Sequence, residues 1–335
     1  MRGAALATVF AGLMLCLPAL AQNASAPADK PVDPPRAGLS KAWGEALVEE
    51  REKATAAAAG KSKDAGERRR EVGAGAGRDG KPPQLSESDR ICQDARPGLM
   101  AAAEKGDAVA AFRVGAIYEE GCGVRRNRQV AAAYYELAAK KNHVEARVRL
   151  AAFYVQGEVL GVDYGKARAL LKEPAAKGHP LANYHLGVMA WRGDDSKPPK
   201  PDPDAAMKYF KASADGGLAE AQFIVGQALV EGKDLPKDLK AAAAMLARAS
   251  AQGYAWAMVI LGRLHAEELV EKPDPALALK WLMIARTANP EDTLLQAAVE
   301  PSLEKLDDKL DAKARAAAMK QVIDFKPKLE WEEKI

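Results

Sequence analysis

The amino-acid sequence predicts an all-α fold, a right-handed α-solenoid of five helix-turn-helix repeats of about 36 residues with helical caps at its N- and C-terminal ends. Three observations predict it. A segment starting at Gly106 recurs from Asn142, Gly178, Gly217 and Gly253. One column of the copies is always alanine (Ala110, Ala146, Ala182, Ala221, Ala257), as is another (Ala131, Ala167, Ala206, Ala242, Ala278). A third column is always Asn or Asp: Asn127, Asp163, Asp202, Asp238 and Asp274.

Each column answers a physical need. Small residues on one helix face let two backbones approach closely, as do the pairs Val114-Gly115, Leu150-Ala151, Leu186-Gly187, Val225-Gly226 and Leu261-Gly262. The Asn/Asp column is expected to cap the second helix of each unit by accepting from its free N–H groups. Gly121, Gly157, Gly193 and Gly232 stand just before it, where the first helix must end and the chain turn. The repeats are therefore read as 106–141, 142–177, 178–216, 217–252 and 253–288, the third lengthened by a Pro/Lys-rich surface loop within 193–202.

These residues carry a resemblance. Ala110, Val114, Gly115, Tyr118, Gly121, Gly123, Val124 and Ala138-Ala139 in the first unit, and Tyr154, Gly157 and Val162 in the second, resemble the Sel-one-like repeat, a longer relative of the tetratricopeptide repeat. Later units depart from the pattern, with Ala190, Leu229 and His265 where tyrosine is expected and Glu268 in the glycine column. The resemblance implies a binding scaffold with first helices lining the concave side, and no particular ligand.

At the start of the chain, residues 1–21 combine Arg2, an apolar run and the exit Ala19-Leu20-Ala21, the pattern of an export signal cleaved after Ala21. The alternative, a lipoprotein attached through Cys16, has Leu15 where a small residue is expected. The expected destination is a bacterial periplasm, with no integral membrane segment in the mature chain. Residues 22–85 are rich in Ala, Pro, Gly and charge, so a disordered linker is expected, interrupted by a short amphipathic helix over 40–56 that carries Trp43 and Leu47.

Removal of the signal leaves Cys92 and Cys122 in a disulfide-permissive compartment. Cys92 lies in a leading cap, 86–105, and Cys122 in the turn of the first repeat, at the same end of the stack. Either they bridge cap to repeat, stabilising it by roughly 3 kcal/mol, or they remain two free structural thiols. Past the repeats, Asn289-Pro290 reads as a helix start and Pro301 as a break or kink within C-terminal capping helices over 289–325. The tail, 326–335, shows no pattern that assigns it.

Little here can carry chemistry. The four histidines are His143, His179, His185 and His265; His143 and His179 fall at equivalent turn positions one repeat apart, a product of the repeat more than a metal site. The motifs HExxH and GxSxG and a lysine-bearing phosphate loop are missing, so no catalytic residue, cofactor or metal is expected. With 49 basic and 46 acidic residues and no basic stripe, nucleic acid is not an expected partner. A groove on the first helices is the candidate site. Its apolar and aromatic positions are Phe112, Val148, Tyr184, Trp191, Phe223 and Trp256, and its polar ones are Glu119, Glu145, Glu220, Gln227 and Arg263. Either these aromatics line a groove for a partner, or they fill gaps between alanine-rich helices. The expected function is a non-catalytic periplasmic adaptor or scaffold for an envelope protein or peptide. The alternatives are a cell-wall-active enzyme or peptidoglycan binder, and a periplasmic regulator of a sensor kinase.

Overall fold

A computed structural model of the chain describes residues 87–193 and 200–331, and all regular elements among them are helices. The expected signal, the linker with its short helix and the end of the tail lie outside the described residues. The chain divides into two compact units, whose described parts are 87–161 in one and 162–193 with 200–331 in the other.

The first unit holds α1 (Glu87–Glu104), α2 (Ala108–Glu120), α3 (Arg128–Ala139) and α4 (Val144–Gln156), each packed on the next. Among the described residues the second holds nine helices. They are α5 (Tyr164–Ala176), α6 (Pro180–Arg192), α7 (Pro203–Asp215), α8 (Ala219–Glu231), α9 (Leu239–Ala251), α10 (Ala255–Ala266), α11 (Pro275–Ala288), α12 (Thr293–Glu304) and α13 (Ala312–Ile323). These are serially packed as far as α12, after which α13 packs back on α11. Contacts that run mainly to the neighbouring helix are what a repeat stack requires, since no single hairpin can bury its apolar face alone.

The turns follow local chemistry. Asn127, Asp163, Asp202, Asp238 and Asp274 each accept a bond from an N–H in the first turn of the following helix, at 2.8–3.1 Å. His143 and His179 cap as well: their Nδ1 atoms accept from the N–H groups of Ala146 and Ala182, both at 3.3 Å. Each repeat starts on a left-handed residue: φ is 90° at Gly106, 62° at Asn142, 81° at Gly178, 100° at Gly217 and 95° at Gly253. Glycine meets no steric barrier there, and asparagine is the side chain that tolerates the position best.

Close approach is built from a small residue on the first helix facing a large one on the second. A Cβ on Gly115, Gly187, Gly226 or Gly262 would stand within 3 Å of Tyr135, Phe210, Leu246 or Leu282 respectively. Those four and Leu171 stand eight residues after their caps and are fully buried. Cys92 and Cys122 are bonded, with Cα atoms 5.8 Å apart, and the Gly123 N–H donates to Asp89 Oδ1 at 2.6 Å, so α1 is tied twice to the first turn.

Two expectations near the end of the chain are corrected. Asn289 does not start a helix: its side chain donates to the Ala285 carbonyl and closes α11, while Asp292 caps α12 by accepting from the Leu295 N–H. Pro301 does not break α12, which continues to Glu304. The proline removes one backbone bond, that of its own missing N–H, and the helix runs on for three residues beyond it, with Ser302 buried. Beyond α13 the chain turns back, and residues 327–331 run over the repeat starts at Gly253 and Gly217 toward His179.

Candidate functional site

In the first unit the expected groove residues form a structural network instead of an open surface. Phe112 is 1% exposed, with its ring stacked on His143 at 4.7 Å and tilted against Tyr135 at 5.6 Å. Val148 is fully buried. Glu119 accepts from the Tyr135 hydroxyl at 2.6 Å and faces Arg149 at 3.7 Å, while Glu145 lies 3.6 Å from the His143 imidazole. Burial keeps His143 below the usual histidine range, against the pull of Glu145, which suits an imidazole whose Nδ1 accepts a bond.

In the second unit the expected residues divide. Phe223 is 6% exposed, packed within the core and 4.9 Å from the Tyr254 ring. Gln227 donates to Glu231 at 2.8 Å, and Arg263 is buried, with its Nε 3.9 Å from Glu267, so both polar groups are committed internally. Tyr184, Trp191 and Trp256 stay half-buried. The expected open ladder of apolar and aromatic side chains is thus corrected at Phe112, Val148 and Phe223. Columns of alanine and glycine leave gaps between helices, and these side chains fill them.

What remains is a cluster around Glu220, in the first turn of α8. The residue is 7% exposed, and its Oε2 is buried with no hydrogen-bond partner. Burial pushes its pKa up to about 7. Half-buried Tyr184 from α6 and Tyr254 before α10 are within electrostatic range of this carboxyl, and desolvation followed by its charge raises both phenols. Tyr254 belongs to the site although the sequence pattern pointed only to His143 and His179 in its column, the N-cap position of the first helix; it stands where they cap, but makes no capping bond. The cluster offers a buried carboxyl oxygen that is free to accept a hydrogen bond, within electrostatic range of two tyrosines. Among the described residues no group of His, Cys, Asp and Glu is arranged to hold a metal ion, and no helix is long and apolar enough to cross a membrane.

The Sel1 repeat family model matches residues 108–143, 144–179, 180–218, 219–254 and 257–286, more than half of the chain. The chain belongs to the Sel1 repeat family. Its class is therefore that of an all-α solenoid of five repeats, and Sel1 repeat proteins are protein-interaction scaffolds, in general non-catalytic. The chain is 29% identical over 184 residues to an exopolysaccharide production negative regulator of Rhizobium meliloti, covering 51% of this chain and 66% of that protein. It is 36% identical over 90 residues to chitin synthase regulatory factor 3 of Schizosaccharomyces pombe, covering 26% of this chain and 9% of that one. The chain thus spans less than two thirds of either relative. Among solved structures, a protective antigen of uropathogenic Escherichia coli with an SLR fold superposes with a TM-score of 0.57 at 26% identity, covering 70% of this chain and 48% of that one. A Sel1 repeat protein from Oxalobacter formigenes gives a TM-score of 0.51 at 27% identity, covering 58% and 76%.

Proposed function

We propose that this Sel1 repeat protein is an exported, non-catalytic adaptor that binds an envelope protein or peptide through the first-helix face of its second unit. The observation that carries the reading is Glu220, a buried residue with an unpartnered carboxyl oxygen within electrostatic range of half-buried Tyr184 and Tyr254. Leaving such an oxygen unpaired costs about 1–3 kcal/mol, which a donor supplied by a bound chain recovers. The tyrosines within its electrostatic range, and the half-buried tryptophans Trp191 and Trp256 on first helices of the same unit, are of the residue types that usually dominate interface energy. Export accounts for the apolar leader and for a cysteine pair brought within bonding distance. A regulatory role for the captured partner is in keeping with the two relatives, both named as regulators.

Photo-cross-linking tests the face. A photoreactive residue at Trp191 or Trp256 is expected to give an adduct with one envelope protein, and the same residue at exposed Lys208 on α7 is not. Equal labelling from all three positions rejects this face, and an adduct with glycan strands instead of protein moves the reading to peptidoglycan binding. Mass spectrometry of the chain from fractionated cells tests export, for which an N-terminus at Gln22 is expected. A chain recovered from the cytoplasm with residues 1–21 attached refutes it.

A further inference from the structure

The segment after α13 makes contacts of the kind a bound peptide makes. Two of its N–H groups, two residues apart as along an extended chain, pair with the edge of the second unit: the Lys328 N–H donates to the Ala251 carbonyl at 2.9 Å, and the Glu330 N–H to Gln252 Oε1 at 3.1 Å. The Glu330 carboxylate is held by Arg248 through Nε at 3.0–3.1 Å and Nη2 at 2.6 Å, and by Gln222 Nε2 at 2.8 Å. The Trp331 ring meets His179 edge-on at 5.5 Å. The repeat-start glycines make room: a Cβ on Gly253 would lie 3.2 Å from the Pro327 ring, and one on Gly217 would lie 3.0 Å from Glu330.

The receiving side is organised without the segment. Gln222, fully buried, donates to the Ala214 carbonyl, and Gln252 donates both to the Gly217 carbonyl and to Gln222 Oε1. Both amides are thus oriented by the repeat backbone, leaving one donor and one acceptor facing outward. The segment itself has no regular structure, and Lys328, Leu329 and Glu330 are exposed. Main-chain pairing at alternate residues supplies affinity and the inserted side chain supplies selection, as in other extended-peptide docking.

We infer that the turn edge of the last three repeats, built from Gln222, Arg248, Gln252 and His179, is a docking site for an extended peptide bearing glutamate followed by an aromatic residue, and that residues 327–331 occupy it in cis as a displaceable strap. A partner carrying that pattern competes with the strap, whose effective concentration sets the threshold for entry. The inference does not rest on the adaptor face around Glu220.

The test uses the full chain and, as probe, a fluorescein-labelled peptide with the sequence of residues 325–335. The chain carrying Glu330→Ala and Trp331→Ala is expected to bind the probe at least ~10-fold more tightly than the parent, since a charge-assisted hydrogen-bonded anchor is worth that factor or more. Adding Arg248→Ala is expected to abolish binding. Equal affinity of the parent and the doubly substituted chain, both folded by circular dichroism, overturns the inference, and so does binding that survives Arg248→Ala. If the doubly substituted chain does not fold, hydrogen exchange on the parent decides. Amides of Lys328 and Glu330 exchanging at least ~10-fold faster than the slow amides of α9 support a strap that opens on its own, and equal rates refute it.

Discussion

Replacing Glu220 by glutamine tests the buried carboxyl directly. In the folded chain burial raises its pKa from the ordinary 4.5 to about 7. Below pH 4.5 both folded and unfolded states are protonated and the group contributes no pH dependence. Between 4.5 and 7 the folded state keeps a proton that the unfolded state has lost, so stability falls as pH rises, and above 7 the whole penalty is present. That penalty is about 3 kcal/mol, or roughly 6–12 °C in Tm for a unit of this size. Glutamine has the same shape and no titration, although its buried N–H2 group needs a partner and an orphaned amide costs about 1–3 kcal/mol. The variant is therefore expected to melt below the parent at pH 5 and to equal or exceed it at pH 8.5. The difference between the two melting curves is the measurement, since every other titrating group is common to both. A Tm difference that stays constant from pH 5 to pH 8.5 would falsify the assignment of a raised pKa to Glu220.

Other perturbations address the scaffold. Reduction, or Cys92→Ser with Cys122→Ser, is expected to lower the stability of the first unit by about 3 kcal/mol, read in paired melts with and without reductant; no change means the link to α1 adds nothing. Asp238→Ala removes the cap bond to the Ala241 N–H and is expected to cost about 1 kcal/mol in urea unfolding. Gly262→Ala places a Cβ 2.6 Å from Leu282 Cγ, an overpacking expected to cost about 1–3 kcal/mol. Gly98→Ala in α1, where a Cβ meets nothing within 4 Å, is its control and is expected to be neutral or up to ~1 kcal/mol stabilising.

The repeat organisation is legible along the chain because its causes are local. A cap lies three residues from the N–H it satisfies, a left-handed start is required of one residue, and a small residue at a fixed column serves the same approach in every copy. The column of large residues at Tyr135, Leu171, Phe210, Leu246 and Leu282 could have been found by the same alignment, since it keeps a constant offset from the caps. The groove was harder to read. Spacing places Phe112, Tyr184 and Phe223 in one column, yet the first and last are buried and Tyr184 is half-open. Exposure depends on what stands on the neighbouring helix, and a periodic pattern does not carry that information.

The sequence by itself therefore determined the period, the turns, the caps and the fold class, all of which follow from contacts within a few residues or one repeat. Tertiary structure alone decided which groove positions stay open, that the Glu220 carboxyl is stripped of water and partner, and that Glu330 returns to Arg248 and Gln222 across 82 and 108 residues of chain. The tail has no periodicity and few apolar residues. Its position is set by hydrogen bonds to groups that come together only when successive repeats have stacked, and such a contact leaves no signature in the spacing of residues along the chain.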